Sequence, residues 1–107
     1  MDSILETLTQ RERQTVFECL LAAEREKFFP EWEFETLFGI TRNQLSGVRK
    51  NWPEVDTHQS EVDAALVGSM NHFLNYPHGQ DELWDRYISV RPDAVQSTLN
   101  KLLALGL

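Results

Sequence analysis

Apolar side chains recur every three or four residues along most of the chain, and no segment sustains the one-in-two alternation of a half-buried strand. Val16, Phe17, Leu20, Leu21 and Ala23 form a first stripe predicted to be buried, with Glu12, Glu18, Glu24 and Arg25 outside it. Phe34, Leu37 and Phe38 form a second, and Leu45, Val48 and Trp52 a third. Val62, Ala65, Leu66, Met70 and Phe73 make a fourth, Leu83, Trp84 and Ile88 a short fifth, and Val95, Leu99, Leu102 and Leu103 the last. No Asn-Gly or Asp-Gly hairpin turn separates apolar runs. The pattern predicts an all-α fold, a single-domain orthogonal bundle of five or six short helices over residues 1–107.

Local signals place the ends of these helices. Thr9 precedes Glu12 by three residues, and Thr41 precedes Gln44 by three, the spacing at which two side chains satisfy each other's backbone N–H at a helix start. Ile40 can then pack on Leu45 as a staple. Ser3 and Glu6 offer a further box for a short leading turn. A second helix is predicted from about Pro30 to Phe38, closed by Gly39, and Pro53 must stop the third. Tyr76-Pro77-His78-Gly79 breaks the fourth, a short helix is predicted around Asp81 to Ile88, and Pro92 opens the last, which runs to Gly106.

Composition narrows the class. Ten basic and seventeen acidic side chains leave a formal charge of −7; residues 53–107 hold 3 basic and 8 acidic groups and so contribute −5 of it. Such a field repels nucleic acid and anionic membrane surfaces and favours encounter with cationic partners. The single Cys19 excludes an internal disulfide and reads as a packed, inert thiol. Met1-Asp2-Ser3-Ile4-Leu5-Glu6 carries acid where a signal peptide needs base, and no apolar run approaches a membrane span, so a cytoplasmic location and no membrane partner are expected.

Catalytic patterns are absent. His72 and His78 lie six apart across a Pro-Gly turn, whereas two helical metal ligands want a spacing of three or four. Neither Gly-x-Ser-x-Gly nor a phosphate-cradling Gly-rich loop occurs. The expectation is a chain that is not an enzyme, with no metal and no cofactor. Gly47 and Gly68 interrupt helical patterns and are read as sites of close helix packing. Trp52 and Trp84 are read as core. Trp32 has no place on a helix face already filled by Phe34, Leu37 and Phe38, which leaves it as a candidate exposed anchor.

Glu35 to Arg49, with its short helix, Gly39 turn, Thr41 cap and second helix, resembles a helix-turn-helix; Leu8-Thr9-Gln10-Arg11-Glu12-Arg13 is similar to the start of the first helix in response-regulator DNA-binding domains of the LuxR type. The resemblance spans residues 8–52. It implies a transcriptional regulator, using residues 31–52, in which Arg42, Asn43, Gln44 and Ser46 face base edges while Arg49 and Lys50 meet phosphates. Glu31, Glu33 and Glu35 on the flank would subtract from phosphate neutralisation.

A second resemblance is one of size and charge. A small, acidic, single-domain chain matches the general profile of bacterial immunity proteins and antitoxin-like inhibitors, which occlude cationic toxins such as nucleases. It implies a protein-binding module with a basic protein partner. The acidic second half supplies the candidate contact groups: Asp56, Glu61, Asp63, Asp81, Glu82 and Asp85, with Tyr76 and His78 of the Pro-Gly turn beside them. This second function is the first expectation and DNA binding the alternative.

Overall fold

The computed structural model describes residues 2–25, 29–75, 84 and 86–107. Among them the only regular secondary structure is helix, with α1 at Ser3–Glu6, α2 at Gln10–Ala23, α3 at Glu31–Phe38, α4 at Arg42–Asn51, α5 at Ser60–Asn75 and α6 at Pro92–Ala104. Trp84, Arg86 and Tyr87 are also helical, within the segment predicted around Asp81 to Ile88; the Tyr76 to Gly79 break lies outside the described residues. No helix of the described residues is long and apolar enough to cross a membrane.

Two of the three expected capping boxes form; at α1 the cap is Asp2, whose carboxylate accepts from Ile4 N at 2.8 Å, and Ser3 is instead the first helical residue. The Thr9 hydroxyl accepts from Glu12 N while Glu12 accepts from Thr9 N, and Thr41 and Gln44 do the same at the head of α4. Ile40 and Leu45, flanking that second cap, are both buried. Pro30 is the extended residue before α3 rather than its first helical one. Gly39 closes α3 at φ 72°, a left-handed conformation that a residue with a Cβ adopts only at a cost.

The long helix α5 is the centre of the packing. Its Val62, Ala65, Leu66, Met70 and Phe73 are all buried, and α2, α3, α4 and α6 each pack against it. At its C-terminal end Phe29, Phe34, Phe38 and Phe73 form a ring cluster: Phe34 stacks on Phe38 at 4.4 Å, and Phe29 sits edge-on to Phe38 and Phe73 at 5.3 and 5.0 Å. His72 joins it, with Nε2 2.7 Å from the Leu37 carbonyl. Gly68 is what lets α3 come so close. A Cβ there would stand 3.0 Å from the Phe38 ring.

Several expectations need correction. A Cβ on Gly47 would meet nothing within 4 Å, so close packing does not explain that glycine. Phe17 and Leu21 are half-buried at the edge of the α2 stripe, whose centre is Val16, Cys19, Leu20 and Ala23. Leu103 is exposed, because the inward face of α6 is completed by Val95, Leu99 and Leu102. Glu24, expected outside, is half-buried and partnered, as described below. Trp84 is buried with its indole N–H donating to the Val90 carbonyl at 2.8 Å, whereas Trp52 is only half-buried. Cys19 is fully buried, and burial pushes its thiol far above the ordinary range.

Candidate interaction surface

The α3–Gly39–α4 pair has the outline expected of a helix-turn-helix, but two of its three cations, Arg42 and Arg49, are turned inward. Arg42 occupies the first turn of α4, where a positive charge opposes the helix dipole. Its guanidinium is instead laid across the C-terminal end of α2, whose carbonyls favour a cation. The two Nη groups donate to Ala23 O at 3.1 Å, Glu24 O at 2.7 Å and Phe29 O at 2.9 Å, while Nε donates to Glu31 at 2.7 Å. The same group lies 4.3 Å above the Phe34 ring. With a side chain only 14 % exposed, Arg42 ties four segments together and does not present itself to a base edge.

Ser46 and Arg49 converge on Glu24. The Ser46 hydroxyl donates to Glu24 Oε1, an Arg49 Nη donates to the same oxygen at 3.1 Å, and Arg49 Nε faces Oε2 off the hydrogen-bond axis. Both charged side chains are largely covered, at 23 % for Arg49 and 17 % for Glu24. Burial alone would raise the Glu24 carboxyl; the hydrogen bonds from Arg49 and Ser46, with the Arg49 charge, outweigh it and hold the group below the usual carboxylate range. The result is a second rivet between α2 and α4. Of the six groups assigned to DNA under the helix-turn-helix reading, Asn43, Gln44 and Lys50 remain exposed, and Gln44 already accepts from Thr41 N.

The acidic groups divide. Asp56 and Glu61 line one groove of about 300 Å³ between α4 and α5, together with Gly47, Asn51, Glu54 and Gln59. Asp56 is fixed there by accepting from His58 N at 2.9 Å. The missing side chain at Gly47 helps open this groove. Asp63 is half-buried and not part of its lining. Tyr76, His78, Asp81, Glu82 and Asp85 lie outside the described residues.

A second surface carries an exposed tryptophan. Trp32, in the first turn of α3, is 80 % exposed, and it shares the outer face of that helix with exposed Glu35 and Thr36, while Glu31 is exposed beside it. The face arises because Phe34 and Phe38 take the inward side and Arg42 pins the helix from below. Phe34 and Phe38 filling the inward face was legible in the sequence; the Arg42 clamp was not, since its partners are 11 to 19 residues away. Its one local sign is an arginine at the dipole's positive end. Comparison of the chain with protein-family models, curated proteins and solved structures finds no match.

Proposed function

We propose that this chain is a non-catalytic protein-binding module that offers an acidic, tryptophan-tipped helix to a cationic protein, in the way an immunity- or inhibitor-type protein occludes a toxin nuclease. One observation carries the reading: the largest exposed aromatic, Trp32, sits between exposed carboxylates on α3. An indole held in water gains by burial against a partner, and tryptophan is enriched among the residues that dominate interface energies. The carboxylates around it, and the formal charge of −7, favour collision with a basic surface. The Asp56–Glu61 groove supplies a second acidic contact on the α4–α5 side.

The test is affinity capture from nuclease-treated lysate of the source cell on immobilised protein. The reading expects a retained basic protein that is lost with Trp32→Ala and released as salt rises. Retention that is indifferent to Trp32 would overturn it.

The exposed Asn43, Gln44 and Lys50 on α4 keep a second reading, a DNA-binding regulator. Anisotropy of labelled duplex at roughly 50 and 200 mM salt decides it, because phosphate-driven binding falls steeply over that range. The first reading expects no salt-sensitive binding. Binding that Lys50→Ala weakens on every sequence would establish the second.

A further inference from the structure

Two surface features of the described residues are opposite in relief and in charge. One is the Trp32 ridge on α3. The other is a shallow groove of about 270 Å³ between the N-terminal half of α2 and the end of α4. Its floor is Phe17, Trp52 and Pro53, all half-buried, and its rim is Gln10, Arg13 and Gln14. A floor of aromatic and proline rings is a surface on which an indole stacks well, and the volume admits one.

Charge agrees with shape. The ridge carries Glu31 and Glu35; the groove has no acidic group in its lining and holds Arg13 on its rim. Arg13 is held in place because its Nη1 donates to the Leu5 and Leu8 carbonyls at 3.1 and 2.8 Å, so the positive charge is fixed there. Ridge and groove belong to different helices of one compact chain, and with Trp32 80 % exposed the ridge does not fill its own groove.

We propose that α3 of one molecule docks, Trp32 first, into the Phe17–Trp52–Pro53 groove of a second copy. The contact is heterologous, since the two copies use different surfaces, and so it builds head-to-tail assemblies that either close or extend. Like net charges oppose it and the patch is small, which places the association on the order of 0.1 mM. This inference rests on the reading of α3 as a contact ridge and adds a consequence. Self-docking hides the face that meets the partner, so assembly and partner binding exclude each other.

Sedimentation velocity of the full chain from about 10 µM to about 1 mM reads the contact directly. Wild type is expected to rise above its 12.4 kDa monomer as concentration increases. Trp32→Ala removes the ridge and should weaken association at least tenfold. Gln10→Glu leaves an exposed helix start intact but puts a negative charge on the groove rim, and should weaken it several-fold; far-UV circular dichroism checks that each variant folds.

The decisive arm mixes Trp32→Ala, which keeps only the groove, with Phe17→Gln, which keeps only the ridge. At about 0.2 mM each alone stays largely monomeric, and the mixture forms a one-to-one dimer and nothing larger. A wild type that stays monomeric at the highest concentration overturns the proposal, as does a Trp32→Ala that associates like wild type. So does a mixture that stays monomeric while wild type dimerises, which would mean that each copy uses both surfaces at once, and so does a Phe17→Gln that dimerises alone, which would mean α3 meets α3. Partner capture that still depends on Trp32 in a strictly monomeric protein would sink this contact and leave the partner reading standing.

Discussion

Removing the Arg42 side chain tests whether that residue belongs to the fold or to a ligand. In Arg42→Ala the carbonyls of Ala23, Glu24 and Phe29 lose a charged donor together. Hydrogen bonds to a charged group contribute about 1.5–3 kcal/mol each, but the vacated space lets water reach part of the site, so about 1 kcal/mol for each carbonyl is the fair figure. The cation over Phe34 adds about 1–2 kcal/mol, above the value for an exposed pair, since that ring is buried. The pair with Glu31 adds little, because its carboxylate side is 68 % exposed.

The expected loss is therefore about 4–5 kcal/mol, a large part of the 5–15 kcal/mol typical of a domain. Arg42→Lys should cost about 2 kcal/mol, because an ammonium keeps the charge but lacks the planar fork that serves several acceptors. Glu31→Gln should cost under about 0.5 kcal/mol. Urea unfolding followed by tryptophan fluorescence and circular dichroism gives all three from the midpoint shift at constant slope. An Arg42→Ala loss below about 1 kcal/mol would refute the clamp. So would a Glu31→Gln as damaging as Arg42→Ala, which would put the energy in the surface pair.

The two helical glycines should respond with opposite signs. Gly47→Ala adds a Cβ into open space and should stabilise the chain by about 1 kcal/mol through helix propensity. Gly68→Ala drives a Cβ against a Phe38 ring that is packed on Phe34, Phe29 and His72, and should destabilise by about 1 kcal/mol despite the same propensity gain; thermal melts of both variants check the sign. Acid should weaken the α2–α4 rivet. The folded-state Glu24 pKa lies below its unfolded value of about 4, so its stabilisation is present above that value and is lost as pH falls through the folded one. Wild type should exceed Glu24→Gln in stability by a constant margin from pH 7 to about 5, and the margin should shrink below about pH 4. A margin that grows on acidification would contradict the assignment.

Local chemistry explains which parts of this fold could be read in the sequence. Thr9 with Glu12, Thr41 with Gln44, Gly39 and Pro92 act on backbone groups within four residues, and each marks the helix end it was expected to mark. Periodicity finds the middle of a buried stripe but not its edges, because the edges depend on which neighbour arrives; Phe17 is only half-buried and Leu103 exposed for that reason. Gly47 and Gly68 look alike in sequence and differ only in whether another helix lies opposite. Glu24, Ser46 and Arg49 are polar residues on helical surfaces until α2 and α4 are brought together across 22 to 25 residues. Of the candidate site, the exposure of Trp32 was legible by elimination, and the pairing of Asp56 with Glu61 in one groove required the α4–α5 packing.

The central claim, a partner met through the acidic tip of α3, is tested most directly by the binding kinetics of a captured partner on wild type, Trp32→Ala and the double reversal Glu31→Lys with Glu35→Lys. Carboxylates that steer a basic partner act on the encounter, so the double reversal should slow association, most strongly at low salt, with a smaller change in dissociation. The indole acts after encounter, so Trp32→Ala should leave association nearly unchanged and speed dissociation about tenfold or more. Rates unchanged in both variants, with the fold intact by circular dichroism, would contradict the account and move the partner to another face of the molecule.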